Sequence, residues 1–173
     1  DSAVTSGAAL RLAGLDWTVE PRPLFTPLAD APGSRELTRV ASHAAVVRTD
    51  TEAVLGVVGR RYQPIQNAAA FDWLDDVVGE RLAAFETAGS LKGGRLVWMQ
   101  MRLPDELRIP GSDDVSLPML LACNSHDGSR SFRVLRTAVR VVCSNTLTMA
   151  LKGGGGLVVR HTAGSLGRLE TAR

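Results

Sequence analysis

Ser125-His126-Asp127 places side by side the three residue types of a hydrolytic triad. In a triad the base bridges a nucleophile and an orienting acid drawn from separate parts of the fold, whereas neighbours in a tight turn point apart. Asp127 before Gly128 is turn chemistry, so the segment reads as a hairpin and no catalytic residue is assigned. Cys123, His126, Cys143 and His161 offer a zinc set with Cys123-x-x-His126 as its first arm. The second arm fails, because a glycine run separates Cys143 from His161 in place of the short spacing of structural sites. Both cysteines lie in apolar stretches and are expected to be buried, reduced and metal-free. Gly89-Ser90-Leu91-Lys92-Gly93-Gly94 and Lys152-Gly153-Gly154-Gly155-Gly156 suggest phosphate loops. Neither has Gly-Lys-Ser/Thr opening a helix, so nucleotide use, and any other cofactor, is unsupported.

Charge gives the strongest remaining signal. The net charge of +2 hides an uneven distribution: residues 1–86 carry 8 basic against 12 acidic side chains, and residues 87–173 carry 12 against 6. No acid occurs between Asp127 and Glu170, a stretch holding Arg130, Arg133, Arg136, Arg140, Lys152, Arg160 and Arg168. Arginine's planar fork suits phosphate oxygens. Arg130, Arg133, Arg136, Arg140, Lys152 and Arg160 are therefore the candidate nucleic-acid contacts, with Lys92 and Arg95 beside a glycine turn. Arg60 and Arg61 precede Tyr62, the aromatic best suited to stack on a base. If residues 130–137 form a strand, Arg130 and Arg136 face one way and Arg133 the other. The competing reading is that these arginines pair with the acids Asp72, Asp75 and Asp76 of the same chain or a neighbouring one.

The elements that must position these residues follow from periodicity and turn chemistry. Residues 1–35 read as an irregular lead-in broken by Pro21, Pro23, Pro27, Pro32 and Gly33, and pinned to the body by Trp17, Leu24 and Phe25. Residues 45–58 pattern as a hairpin around Thr49–Glu52. Asn67 is expected to cap a helix that Gly79 ends. Strands follow near 82–88, 95–103, 117–124 and 130–137, joined by a turn at Lys92-Gly93-Gly94, a polar connection at 104–114 and a turn at Asp127-Gly128. A helix over 139–151 stops at the four glycines, its Asn145 cluster within a buried face; 157–160 is a short strand and Ser165 caps a further helix. Trp73 and Trp98 read as core. The expected fold is α+β, an antiparallel β meander with hairpins packed against two main helices, as a single domain over 36–173.

Five segments in order resemble a known family: Gly14-Leu15-Asp16-Trp17-Thr18-Val19-Glu20, Gly56 to Tyr62 with Pro64 and Gln66-Asn67, Phe85 to Leu91, Asn124 to Ser129, and Val139 to Leu147. Together they resemble the phage/plasmid-like protein family, a domain of unknown function, over about Leu12 to Arg173. The resemblance implies a phage or mobile-element setting and a helical C-terminal part beyond this chain; it supplies no catalytic residue. Element order alone is similar to that of phage single-strand annealing proteins. The apolar content of 45% is that of a globular chain without a membrane span, and no secretory signal opens it, so a cytoplasmic location is expected. The functional expectation is non-enzymatic binding of single-stranded DNA, or annealing, by a homo-oligomer. The alternative is a structural or regulatory protein–protein interaction module that binds no DNA.

Overall fold

A computed structural model of the chain describes residues 5–27, 36–79, 83–104, 107–108, 115–153, 155–164 and 167. In chain order the elements are α1 (Ser6–Leu12), β1 (Val19–Pro27), β2 (Leu37–Arg48), β3 (Val54–Gly59), α2 (Asn67–Phe71), α3 (Leu74–Gly79), β4 (Ala84–Leu91), β5 (Leu96–Arg102), β6 (Leu107–Arg108), β7 (Val115–Ser116), β8 (Met119–Ser125), β9 (Phe132–Thr137), α4 (Ser144–Lys152) and β10 (Leu157–Val159). A three-stranded sheet runs β1-β2-β3, and a five-stranded sheet runs β10-β9-β8-β5-β4, antiparallel throughout. The class is α+β. The meander is as patterned, but it divides into two sheets, and short helices replace the two main ones expected.

Alternation along the central strands builds two cores. Val97, Met99, Met101, Ala122, Phe132 and Val134 face the three-stranded sheet, where they meet Trp17, Val19, Val46, Leu55 and Val58 together with α1 and α2. Leu96, Trp98, Leu121, Cys123 and Leu135 face the other way and are covered by Val141 and by Leu147, Ala150 and Leu151 of α4.

The lead-in is not irregular. The Thr5 hydroxyl accepts a hydrogen bond from the Ala8 amide and caps α1. β1 accommodates Pro21 and Pro23 because it is an edge strand, where a missing N–H breaks no ladder on the open side. Trp17 pins the segment, with the Arg48 guanidinium 4.4 Å from its ring centroid. Phe25, 53% exposed, does not. Pro32 and Gly33, like Ser165 and Arg168, lie outside the described residues.

The expected helix after Asn67 divides at Asp72-Trp73 into α2 and α3. Gln66 stands at the cap position, and the Asn67 side chain, 1% exposed, turns into the core instead. Asp75 accepts from the amide and hydroxyl of Ser6, so that part of the acidic face holds α1 rather than an arginine. The helix expected over 139–151 begins only at Ser144. Before it, Gln100 donates to the Val139 carbonyl at 2.8 Å and accepts from the Val141 amide at 2.9 Å, holding β-branched residues extended. Thr146 Oγ1 then accepts from the Cys143 amide at 3.0 Å, which leaves Cys143 exposed at the start of α4, not buried; Asn145 is exposed as well.

The sheets dock through the turn at Asp127-Gly128. A Cβ placed on Gly56 of β3 would stand 2.6 Å from Asp127 Cα, and Gly128, at φ 74°, lies against Val58. Gly56→Ala is therefore expected to destabilise the protein by about 2 kcal/mol or more, since backbone must move to admit the methyl group. Gly128→Ala should cost about 1 kcal/mol for its positive φ. Urea unfolding that ranked Gly56→Ala with surface substitutions would refute this docking.

Candidate nucleic-acid interface

One cleft of about 970 Å³ gathers the basic residues of two chain segments a hundred positions apart. Ser42 and His43 of β2 and Gly59, Arg60, Arg61, Tyr62 and Gln63 form one side; Arg160, His161, Thr162 and Ala163 form the other. Among the described residues no carboxylate lines it, and Arg60 and Arg61 enter no ion pair. The two sides are joined by the Gln63 amide, which donates to the His161 carbonyl at 3.0 Å, while the Arg60 amide donates to Ser42 O at 3.0 Å. These bonds fix the backbone, and Arg60, Arg61 and Arg160 are exposed residues.

Beneath the arginines lies a buried polar seam. The Asn67 amide donates to Leu15 O at 2.9 Å, so its oxygen must accept from His126 Nε2, 2.8 Å away, and His126 carries its proton there. Asn124 donates to Ile65 O at 2.7 Å, and Tyr62 Oη donates to Ser125 O at 2.7 Å. The loop over 62–67 is thus stitched to the end of β8. Tyr62 stacks on His161 with centroids 4.9 Å apart and planes 16° apart. One ring face is taken and the hydroxyl is engaged, so Tyr62 serves as a buttress rather than as the base-stacking platform expected of it. Burial, with Asp127 nearby, pushes its hydroxyl pKa up.

The triad pattern is not assembled. Ser125 Oγ donates to Asp127 Oδ1 at 2.7 Å, not to His126. The four zinc candidates also disperse: Cys123 lies on the α4 side of the sheet with its thiol pushed by burial up to about 12, His126 lies against Trp17, and Cys143 is exposed. Among the described residues no three potential ligands are grouped to hold a metal ion.

The acid-free stretch does not form one patch. Arg130 is exposed in the turn after β8, and Arg136 is exposed on the Phe132 side of β9. Arg133 points to the opposite face, where Nη1 lies 3.5 Å from Leu151 O at the end of α4, near Lys152. Arg140 pairs with Glu86 at 3.2 Å. Lys92 and Arg95 flank the β4–β5 turn, whose Gly94 packs on Trp17. Of the candidate nucleic-acid contacts, Arg60, Arg61, Tyr62 and Arg160 share this cleft, and they share it with Ser42, His43 and His161, which nothing in the pattern of charges marks.

The family described as Domain of unknown function (DUF932) matches residues 54–173. The chain belongs to this family. No match was found among curated proteins or among solved structures. In this family member both cleft segments and the Asn67–His126 bond fall within the matched stretch, whereas Ser42 and His43 precede it. No helix among the described residues is long and apolar enough to cross a membrane.

Two imidazoles make the seam pH-sensitive. Burial pushes both His126 and His161 down to about 4, the neighbouring His161 adding to the effect on His126. Unfolded, each titrates near 6.5. The folded state therefore binds fewer protons between these values, so stability is full above about pH 6.5 and falls as pH drops toward 4, by about 3 kcal/mol per ring. Urea midpoints measured from about pH 7 to about pH 4.5 should fall steeply, and less so in His161→Phe; a flat profile in the wild type would contradict neutral, buried rings.

Proposed function

We propose that this chain is a non-enzymatic nucleic-acid-binding protein of a phage or mobile element, which holds single-stranded DNA by its phosphates at the cleft of Arg60, Arg61 and Arg160. The observation that carries this is the convergence of Arg60, Arg61 and Arg160 on a concavity that no carboxylate lines among the described residues. Acid-free basic concavities attract polyanions and focus field lines. Arginine on rigid backbone contacts phosphate oxygens in pairs at little entropic cost. Arg130, Arg136 and Lys152, exposed elsewhere, add general positive potential rather than defined contacts. The mobile-element setting implied by the five matching segments suits work on single strands, and annealing by an oligomer would extend the same contact along a strand.

The rival reading, a protein–protein module, rests on the outer half of the β1–β2 ribbon. Residues 37–39 of β2 pair with β1 alone, and Phe25 and Leu37 there are 53% and 61% exposed. A ribbon wet on both faces gains stability from a partner. Ribbon and cleft are separable surfaces, so self-association does not exclude DNA.

If the cleft neutralises about three phosphates, the logarithm of affinity for single-stranded oligonucleotides should fall against the logarithm of salt with a slope of about −2. Arg60→Ala with Arg61→Ala should flatten that slope by about 1.4 and weaken binding irrespective of sequence. Arg130→Ala with Arg136→Ala should weaken it less. Fluorescence anisotropy at several salt concentrations reads both quantities, and no binding at low salt would dismiss the nucleic-acid reading.

A further inference from the structure

A second cavity, of about 630 Å³, runs along β4 and is lined from both faces of the five-stranded sheet. Ala9 and Met99 belong to the core shared with the three-stranded sheet, Trp98 and Val141 to the core under α4. A space touched by both faces lies beyond the edge of the sheet, and β4 is the edge strand. The floor of the cavity is therefore the outer edge of β4, with Leu12 and Ala13 on one wall and Val141 and Val142 on the other. Among the described residues nothing hydrogen-bonds to that edge. Alternate residues of β4 thus turn N–H and C=O groups without partners toward the cavity.

Open edges are ordinarily blunted. β1 carries Pro21, Pro23 and Pro27, and β10 is three residues long. β4 has eight residues and no proline, and its one charge, Glu86, stands at the irregularity between Phe85 and Thr87. From Thr87 to Leu91 the edge is bare. The walls decide what can meet it. A second copy brought edge to edge would carry its own α1 and Val142 into the same space, and a helix offers no row of free backbone donors and acceptors. A single extended strand, about 5 Å from β4, satisfies the edge and passes between the walls.

The lining also specifies the strand. Gly89 has no side chain and the Trp98 ring lies over it, 2.9 Å from where a Cβ would stand, so an aromatic surface reaches the edge on the α4 side. Ala88, Leu12 and Ala13 offer aliphatic surface on the other. Leu12 and Val142, 69% and 65% exposed, would be covered. A strand enclosed on both faces is an unbroken apolar run. At one end of the groove Glu86 faces two guanidinium groups, Arg140 at 3.2 Å and Arg102 at 3.9 Å, which leaves one positive charge unbalanced. At the other end Lys92 is exposed and enters no ion pair among the described residues. About 20 Å of extended chain separates Glu86 from Lys92.

We propose that the outer edge of β4 docks an extended peptide segment of a partner protein, an apolar run closed at each end by acidic residues, which joins the five-stranded sheet as a further strand. This surface is independent of the arginine cleft and of the nucleic-acid reading.

The probe is a fluorescein-labelled peptide, Asp-Asp-Val-Ile-Val-Ile-Val-Asp-Asp, followed by anisotropy on the whole chain. It should bind, and the same peptide with lysine in place of each aspartate should bind about tenfold more weakly. Replacing its three central residues by proline removes the N–H groups of both edges of the strand and should abolish binding. Leu12→Gln and Val142→Gln, at exposed positions, should each weaken it about tenfold. Hydrogen exchange on the wild-type protein should slow over residues 84–91 when the peptide is added. Slowing at β1, β3 or β10 instead overturns the site, and full binding of the proline peptide overturns strand addition. Equal affinity for aspartate and lysine ends overturns the stated chemistry of the partner. No binding by any peptide overturns the proposal, as does a dimer by sedimentation whose β4 amides are already protected, since a second copy would then fill the groove.

Discussion

Asn67 and His126 are 59 residues apart, both fully buried, and each satisfies the other. An unpartnered amide or imidazole in a core costs as much as a lost methyl cluster, so this bond can exist only if the elements carrying its two ends arrive together. One end is the first residue of α2 and the other follows β8. The second hand of Asn67 reaches Leu15 O, which brings in the turn between α1 and β1. Three parts of the chain are therefore fixed by one side chain. The Trp17 ring packs edge-on against His126, their centroids 5.3 Å apart.

The cleft inherits its rigidity from that seam. Gln66, next to Asn67, both accepts from the Val19 amide and donates to the Val19 carbonyl, so the loop that carries Arg60 to Gln63 is anchored at its far end to an edge strand. At its near end Arg60 follows β3 directly. Loops that bind charged ligands are usually mobile, and this one is held by side-chain bonds to three separate carbonyls, those of Val19, Ile65 and Ser125. Guanidinium groups mounted on such a base lose less entropy on meeting a phosphate than the same groups on a free loop.

Much of the fold was legible in the sequence for local reasons. The 45–58 hairpin and the four strands after residue 82 are short apolar runs bounded by turn residues, and Gly93, Gly94 and Gly128 do adopt positive φ. The failures have one cause, which is tertiary partners overriding local preference. Pro21 and Pro23 announce a loop until β1 is known to be an edge strand that pairs with β2 alone among the described residues. Val139 to Cys143 has helical length until Gln100 arrives from a strand forty residues away. Asn67 has the type of a cap, yet the core claims its side chain. The cleft was half visible, since Arg60, Arg61 and Arg160 were singled out, but nothing local joins residues 60 and 160. His161 was noticed only as a metal ligand, because an imidazole's lack of partners is a property of three-dimensional packing.

The family stretch begins at residue 54, yet the folded unit cannot. Among the described residues β3 has β2 as its only partner strand, so a chain starting at Val54 would leave β3 unpaired and expose Leu55 and Val58, which are buried against the shared core. Asn67 would lose Leu15 O, and Gln66 would lose both its bonds to Val19. The cleft would lose Ser42 and His43, and with them the carbonyl that positions the Arg60 amide. Residues 5–27 and 36–48 are thus structurally part of the same domain as the matched stretch. In this chain the seam beneath the cleft is held by a preceding helix and strand pair.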